Sequence, residues 1–258
     1  MACAWGNGDG KRYRGGMGIF DFFRRRPESD EPEQNAPAEE AIPQIDEDLF
    51  QAARDAIAPG FADRGEARER VADEFELEHT DPEVARAVDA AWNAQLAEET
   101  RWPAGSSDYE RVARAFAALE EQGLIARMNF TCCNTCGTSE IGDERTPLAD
   151  PGKGYGYREE QYVFFHQQDA DRLAEEPTDL LLTFSAWRAS RNTDPEVLAA
   201  ARRGDDEAAQ RIRIETDREV GERVAAALRA EGLVVHWSGD PAQRIAVQID
   251  HWRKPLPR

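Results

Sequence analysis

Three cysteines crowd five positions in the run Phe130-Thr131-Cys132-Cys133-Asn134-Thr135-Cys136-Gly137. Cys133 and Cys136 stand at C-x-x-C spacing with Gly137 behind them. Two thiolates so spaced can grip one zinc ion, the glycine permitting a tight turn. A closed structural zinc site needs four ligands, and the chain has no second cysteine pair. His166 is the candidate third ligand, with Cys132, His79, His236 or His251 as a fourth. The same C-x-x-C between a strand and a helix also suits thiol redox chemistry, because a helix N-terminus favours the thiolate. Against that, Cys132 stands where an aromatic residue would be expected, and no Pro-initiated strand follows to face the pair. The third reading is structural: cysteine packs well as a small buried side chain.

His166-Gln167-Gln168-Asp169 is the second candidate. If the strand ending at His166 lies parallel to the strand before the cysteines, both carboxyl ends open on one rim of the sheet, where α/β proteins place ligands. Cys133 or Cys136 with His166 as base and Asp169 as orienter would then form a nucleophilic set. The competing reading makes His166 a hydrogen-bonded structural histidine and Asp169 a helix cap.

Other motifs carry no chemistry. Gly152-Lys153-Gly154-Tyr155-Gly156 precedes a predicted strand, whereas a phosphate cradle follows a strand and opens a helix. The segment Phe116–Arg127 has the outline of a helix-to-wing junction, but Glu110, Glu120 and Glu121 deny its helix a basic face. A phosphate backbone needs such a face. Trp92, Trp187 and Trp237 read as core area with indole N–H groups at its edge.

The chain that must position these residues has 258 of them, with 51 Asp+Glu against 32 Lys+Arg and a net charge of −19. That balance disfavours general nucleic-acid binding. Clustered rather than dispersed cysteines argue for reduced thiols in a cytoplasm, not a disulfide framework. No secretory signal opens the chain, and no apolar run reaches the ~18 residues of a spanning helix. Met17 is a candidate true start. The run Gly18–Phe23 followed by Arg24, Arg25 and Arg26 could touch a membrane surface, but one such signal binds weakly. From Pro27 to Asp48 there are nine acidic residues, no Lys or Arg, and four prolines. Residues 1–45 therefore read as a disordered tail.

Helical periodicity follows. Leu49, Phe50, Ala53 and Ile57 share one face; Ala67, Val71 and Phe75 share a second. Thr80-Asp81-Pro82-Glu83 is a helix start, before the stripe Val84, Val88, Trp92, Leu96. Tyr109, Val112, Phe116 and Leu119 make a fourth helix, which Gly123 caps. Strands are expected at Leu124–Phe130, Tyr162–His166, Leu180–Phe184, Leu233–Trp237 and Ile245–Ile249. The second and third read as central strands covered on both faces, joined by a short crossover helix. Thr193-Asp194-Pro195-Glu196 starts a long helix carrying Ala208, Ile212, Val220, Val224 and Leu228. The fold class is α/β (or α+β): a helical region over 46–122, then a mixed sheet of about five strands with covering helices over 123–254, packed as one unit.

The runs FTCCNTCGTSEIGDE, YVFFHQQDAD, LLLTFSAW and VVHW…RIAVQIDHW together resemble a bacterial domain family common in actinobacteria, over roughly residues 48 to 254. The resemblance implies a shared fold and a shared cysteine site. It brings no activity with it. The expectation is a non-enzymatic binding or regulatory protein, open to a protein partner, whose Cys/His patch is structural or holds zinc. The alternative is a thiol-dependent enzyme.

Overall fold

A computed structural model describes residues 45–258 apart from Ser106, Pro151 and Lys153. The expected disordered tail, except its last residue Ile45, and the Met17 start lie outside the described residues. So does the possible membrane contact that follows Met17.

Acidic caps start the first three helices, the third at the Asp81-Pro82 start read from the sequence. The Asp46 carboxylate accepts the backbone N–H groups of Asp48 and Leu49, opening α1 (Glu47–Ile57). Asp63 and Glu66 form a reciprocal capping box on α2 (Arg64–Glu74). Asp81 caps α3 (Pro82–Glu99), with proline in the first turn. These satisfy N–H groups that the first helical turn leaves without partners. The apolar faces of α1, α2 and α3 meet in one core holding Leu49, Ile57, Val71, Val84, Val88 and Trp92.

The next helix, α4 (Asp108–Glu121), belongs elsewhere. Its Val112, Phe116 and Leu119 pack in a second core with the sheet and with α8 (Asp206–Ala230). Gly123, at φ +86°, turns the chain from α4 into β1 (Leu124–Arg127). The C-terminal segment joins the two cores. Trp252 packs in the sheet core, its indole N–H donating to Pro59 O at 3.0 Å, and Leu256 fills the helical one.

The mixed sheet has the order β1-β2-β3-β5-β4, with β2 at Gln161–Phe164, β3 at Thr178–Ala186, β4 at Val235–His236 and β5 at Ile245–Ile249. β1 and β2 are parallel, in register Leu124↔Gln161. All other pairs are antiparallel. Several expectations need correction. β1 and β2 end at Arg127 and Phe164, short of the expected Phe130 and His166, because Asn129 takes left-handed backbone at φ 51° and His166 is the cap residue of the helix that follows. β2 and β3 are antiparallel, so the short helix between them turns the chain back and makes no crossover. β3 has one covered face: Leu180, Leu182 and Phe184 are buried, and Leu181 and Thr183 are half-buried. The expected long helix breaks at Gly204, φ +93°, into α7 (Pro195–Arg202) and α8, which Asp205 recaps. Among the described residues no helix is long and apolar enough to cross a membrane.

Candidate functional site

The parallel pairing of β1 and β2 brings their C-terminal ends to one rim. Beyond Arg127 the chain runs irregularly to Cys133, laced to the segment leaving β2. Phe130 N donates to Phe165 O at 2.9 Å, Gln167 N to Thr131 O at 3.0 Å, and Gln168 N to Cys132 O at 3.4 Å. Two residues here hold left-handed backbone, Asn129 at φ 51° and Thr131 at φ 57°. Asparagine tolerates that region, but β-branched threonine does not, and such conformations cost about 1–3 kcal/mol each. The Asn129 side-chain oxygen is buried with no hydrogen-bond partner. The loop delivering Cys132 is therefore held strained by its ties to the neighbouring strand.

Cys133 is the cap residue of α5 (Asn134–Glu140), with extended backbone at φ −149°, ψ 170°. Its carbonyl accepts the Gly137 N–H at 2.9 Å. One turn of helix brings Cys136 back over Cys133. A Cβ on Gly137 would sit 2.6 Å from Phe164 Cζ, so only glycine lets α5 lie this close to β2. The Asn134 side chain is fixed by the Thr183 hydroxyl, which donates to Oδ1 at 2.6 Å.

The Sγ atoms of Cys132, Cys133 and Cys136 all lie within 4.8 Å of one another. Tetrahedral zinc with Zn–S bonds of ~2.3 Å needs sulfurs ~3.8 Å apart, a spacing this group can reach with small rotamer adjustments. The reading of three buried packing cysteines is corrected: Cys132 is exposed, and Cys133 and Cys136 are half-buried. The thiols also differ electronically. The Cys136 backbone N–H, the Cys136 thiol and the Thr135 N–H pull the Cys133 pKa below its usual 9.0. The Cys136 thiol, hydrogen-bonded to Cys132 and Cys133, is pushed up to about 12.

His166 shares the rim but belongs to a different arrangement. It is the cap residue of α6 (Gln167–Ala170), and its imidazole is buried, with Nε2 3.1 Å from Asp169 Oδ2. Arg244 holds the same carboxylate with both terminal nitrogens, Nη1 at 3.0 Å from Oδ1 and Nη2 on Oδ2, and Nη2 also donates to Leu181 O at 2.6 Å. His166 Nδ1 is buried with no partner. Among the described residues the three-sulfur group includes no histidine. His79 is exposed before α3, His236 lies on edge strand β4, and His251 faces Glu176 at 3.8 Å. Sequence spacing brings the three sulfurs together; what engages the imidazole is Asp169. Arg244, which completes the His166 arrangement, escapes sequence reading because it is 75 residues from Asp169 and precedes an unremarkable strand.

Burial, only partly offset by the Asp169 carboxylate, lowers the His166 pKa from 6.5, and the Arg244 charge lowers it further. The ring is thus neutral in the folded chain, while the unfolded chain takes up a proton as pH falls through about 6.5. Stability should therefore decline as pH falls from there toward the depressed folded value. Urea unfolding from pH 7.5 to 5 should show this slope in the native chain. His166→Gln should remove it; an unchanged slope would assign it to other groups.

Comparison with known proteins gives one family. Residues 43–256 match the family described as "Domain of unknown function (DUF6891)". No curated protein and no solved structure matches the chain.

Proposed function

The chain belongs to the DUF6891 family, and from that premise we propose that it is a binding protein whose cysteine rim holds one thiophilic metal ion, zinc in a reducing cytoplasm. The observation carrying this reading is the convergence of three Sγ atoms within 4.8 Å of one another. Cys132, Cys133 and Cys136 would supply three thiolates. The N–H groups at the start of α5 already favour one of them, Cys133. Because Cys132 is exposed, the fourth position would open to solvent, where a partner or small molecule could donate the last ligand. Open positions of this kind distinguish reactive or ligand-accepting sites from closed structural ones.

Competition against a chromophoric chelator tests it on the reduced full-length chain. The expected result is about one equivalent of zinc per chain, with cobalt giving thiolate-to-metal absorption, since each lost ligand weakens such a site. Cys133→Ser and Cys136→Ser should each reduce affinity at least ~100-fold. A reduced chain that takes up no stoichiometric metal would overturn the reading.

A second reading, thiol-dependent enzyme chemistry at Cys133 with Cys136 as its neighbour, is favoured by the depressed Cys133 pKa. It needs the sulfur free. Alkylation of Cys133 that stays rapid in zinc-saturated protein would favour it over metal holding.

A further inference from the structure

The opposite rim of the sheet carries a feature that the cysteine site does not use. Gly123 leads into β1, Gln161 opens β2, and the antiparallel β3 delivers its C-terminal residue Ala186 beside Gln161. The chain after β3 therefore lies at this rim, with α8 passing beside it. A cavity of about 370 Å³ opens here, and it adjoins a second of about 450 Å³ that shares Glu160, Arg188, Ser190 and Arg191. Together they are lined by five arginines, Arg158, Arg188, Arg191, Arg202 and Arg223, against two carboxylates, Glu160 and Glu219. The chain as a whole carries −19, so this local excess of cations runs against the sign of the molecule.

The partners of these groups leave positive charge uncompensated. One carboxylate, Glu160, serves two arginines, at 2.8 Å from Arg188 and 3.8 Å from Arg191. Glu219, held by the Ser190 hydroxyl, keeps its charge, so the balance of the lining is five arginines against two carboxylates. Arg223 is held by neutral amides: it donates to Gln161 Oε1, and to Gln122 Oε1 at 3.3 Å. Among the described residues neither Arg158 nor Arg223 makes a direct ion pair, although the Arg158 charge is felt by the neighbouring Glu159, whose carboxylate is held by Thr146. Amide oxygens orient a guanidinium without neutralising it, and the planar fork matches phosphate oxygens two at a time. The volume falls in the small-ligand range.

We propose that this cavity binds a small phosphorylated anion, with Arg158 and Arg223 as its principal contacts. A polyanion would be repelled by a chain of net charge −19, whereas a small anion meets a lining in which five arginines outnumber two carboxylates. The site is independent of the cysteines, so its fate and that of the metal reading can be told apart.

Titration calorimetry of the full chain with inorganic pyrophosphate tests the proposal. Saturable binding of about one pyrophosphate per chain is expected, weakened at least ~10-fold by Arg223→Gln and by Arg158→Gln, the loss expected when a charge-assisted contact to phosphate goes. Glu160→Gln should tighten binding several-fold, since it releases Arg188 and Arg191. Arg158 is exposed, so its variant carries the test even if the Arg223 change disturbs α8. Three results would overturn the proposal: no saturable binding up to ~10 mM, binding that survives the Arg158→Gln/Arg223→Gln double change, or equal affinity for citrate, which would make the cavity a reader of charge and not of phosphate.

Discussion

Replacing Gly137 with alanine should destabilise the chain by about 1–3 kcal/mol, although alanine is the better helix former by ~1 kcal/mol. The sign follows from space. The added Cβ would stand 2.6 Å from Phe164 Cζ, and Phe164 is fully buried. Its ring stacks with Tyr162 at 6.1 Å and meets Phe130 edge-on at 5.9 Å, so it has little room to move. α5 must then shift away from β2, taking Cys133 and Cys136 out of register with Cys132, which is tied separately through its backbone to Gln168. Metal affinity should fall along with stability. Denaturant unfolding measures the first loss and chelator competition the second. Phe164→Leu, which removes the ring, should recover part of both in the double variant, a coupling that a double-mutant cycle isolates. If Gly137→Ala is as stable as the native chain, the close approach of α5 to β2 is wrong.

Arg244→Ala should cost about 3 kcal/mol, the low end for breaking a buried ion pair, because its side chain is 29% exposed while that of Asp169 is 4%. The carboxylate would keep only the His166 ring and the His166 backbone N–H at 3.3 Å. Removing Arg244 also removes a charge that lowers the His166 pKa. The imidazole should then protonate more readily and pair with Asp169 as a cation. The deficit should accordingly be largest near pH 8 and shrink as pH falls toward 5.5, opposite to the trend expected of the native chain. Unfolding midpoints at the two pH values check this. A deficit independent of pH would mean that His166 and Arg244 do not share the Asp169 charge.

Much of the architecture is legible in local residues. Apolar periodicity announces the first four helices, because a helical face repeats within a few residues, and the Asp81-Pro82 start also announces the third; the structure adds Asp46, Asp63 and Ser107 as caps of the others. The alternation of Ile245, Val247 and Ile249 announces β5. Less legible are properties set by neighbours distant in the chain. The apolar run Leu180–Phe184 reads as doubly covered, yet Leu181 and Thr183 are only half-buried. α4 reads as part of the helical region, but its apolar stripe packs with α8 and the sheet. Periodicity specifies a face and leaves its partner open.

The candidate site divides the same way. The thiol group is a local object: a helix cap and its first turn bring Cys133 and Cys136 together, and Cys132 is adjacent, so residue types and spacing alone predict their approach. The surroundings of His166 and the arginine cavity are assembled by topology. Asp169 lies near His166 in the chain, but Arg244 reaches it from the position just before β5, and Arg223 on α8 meets Gln122 and Gln161 only because α8 packs on the sheet beside β2. Local hydrogen bonds are written in a few consecutive residues. Long-range charge pairings depend on how whole elements pack, and that information resides in the tertiary structure.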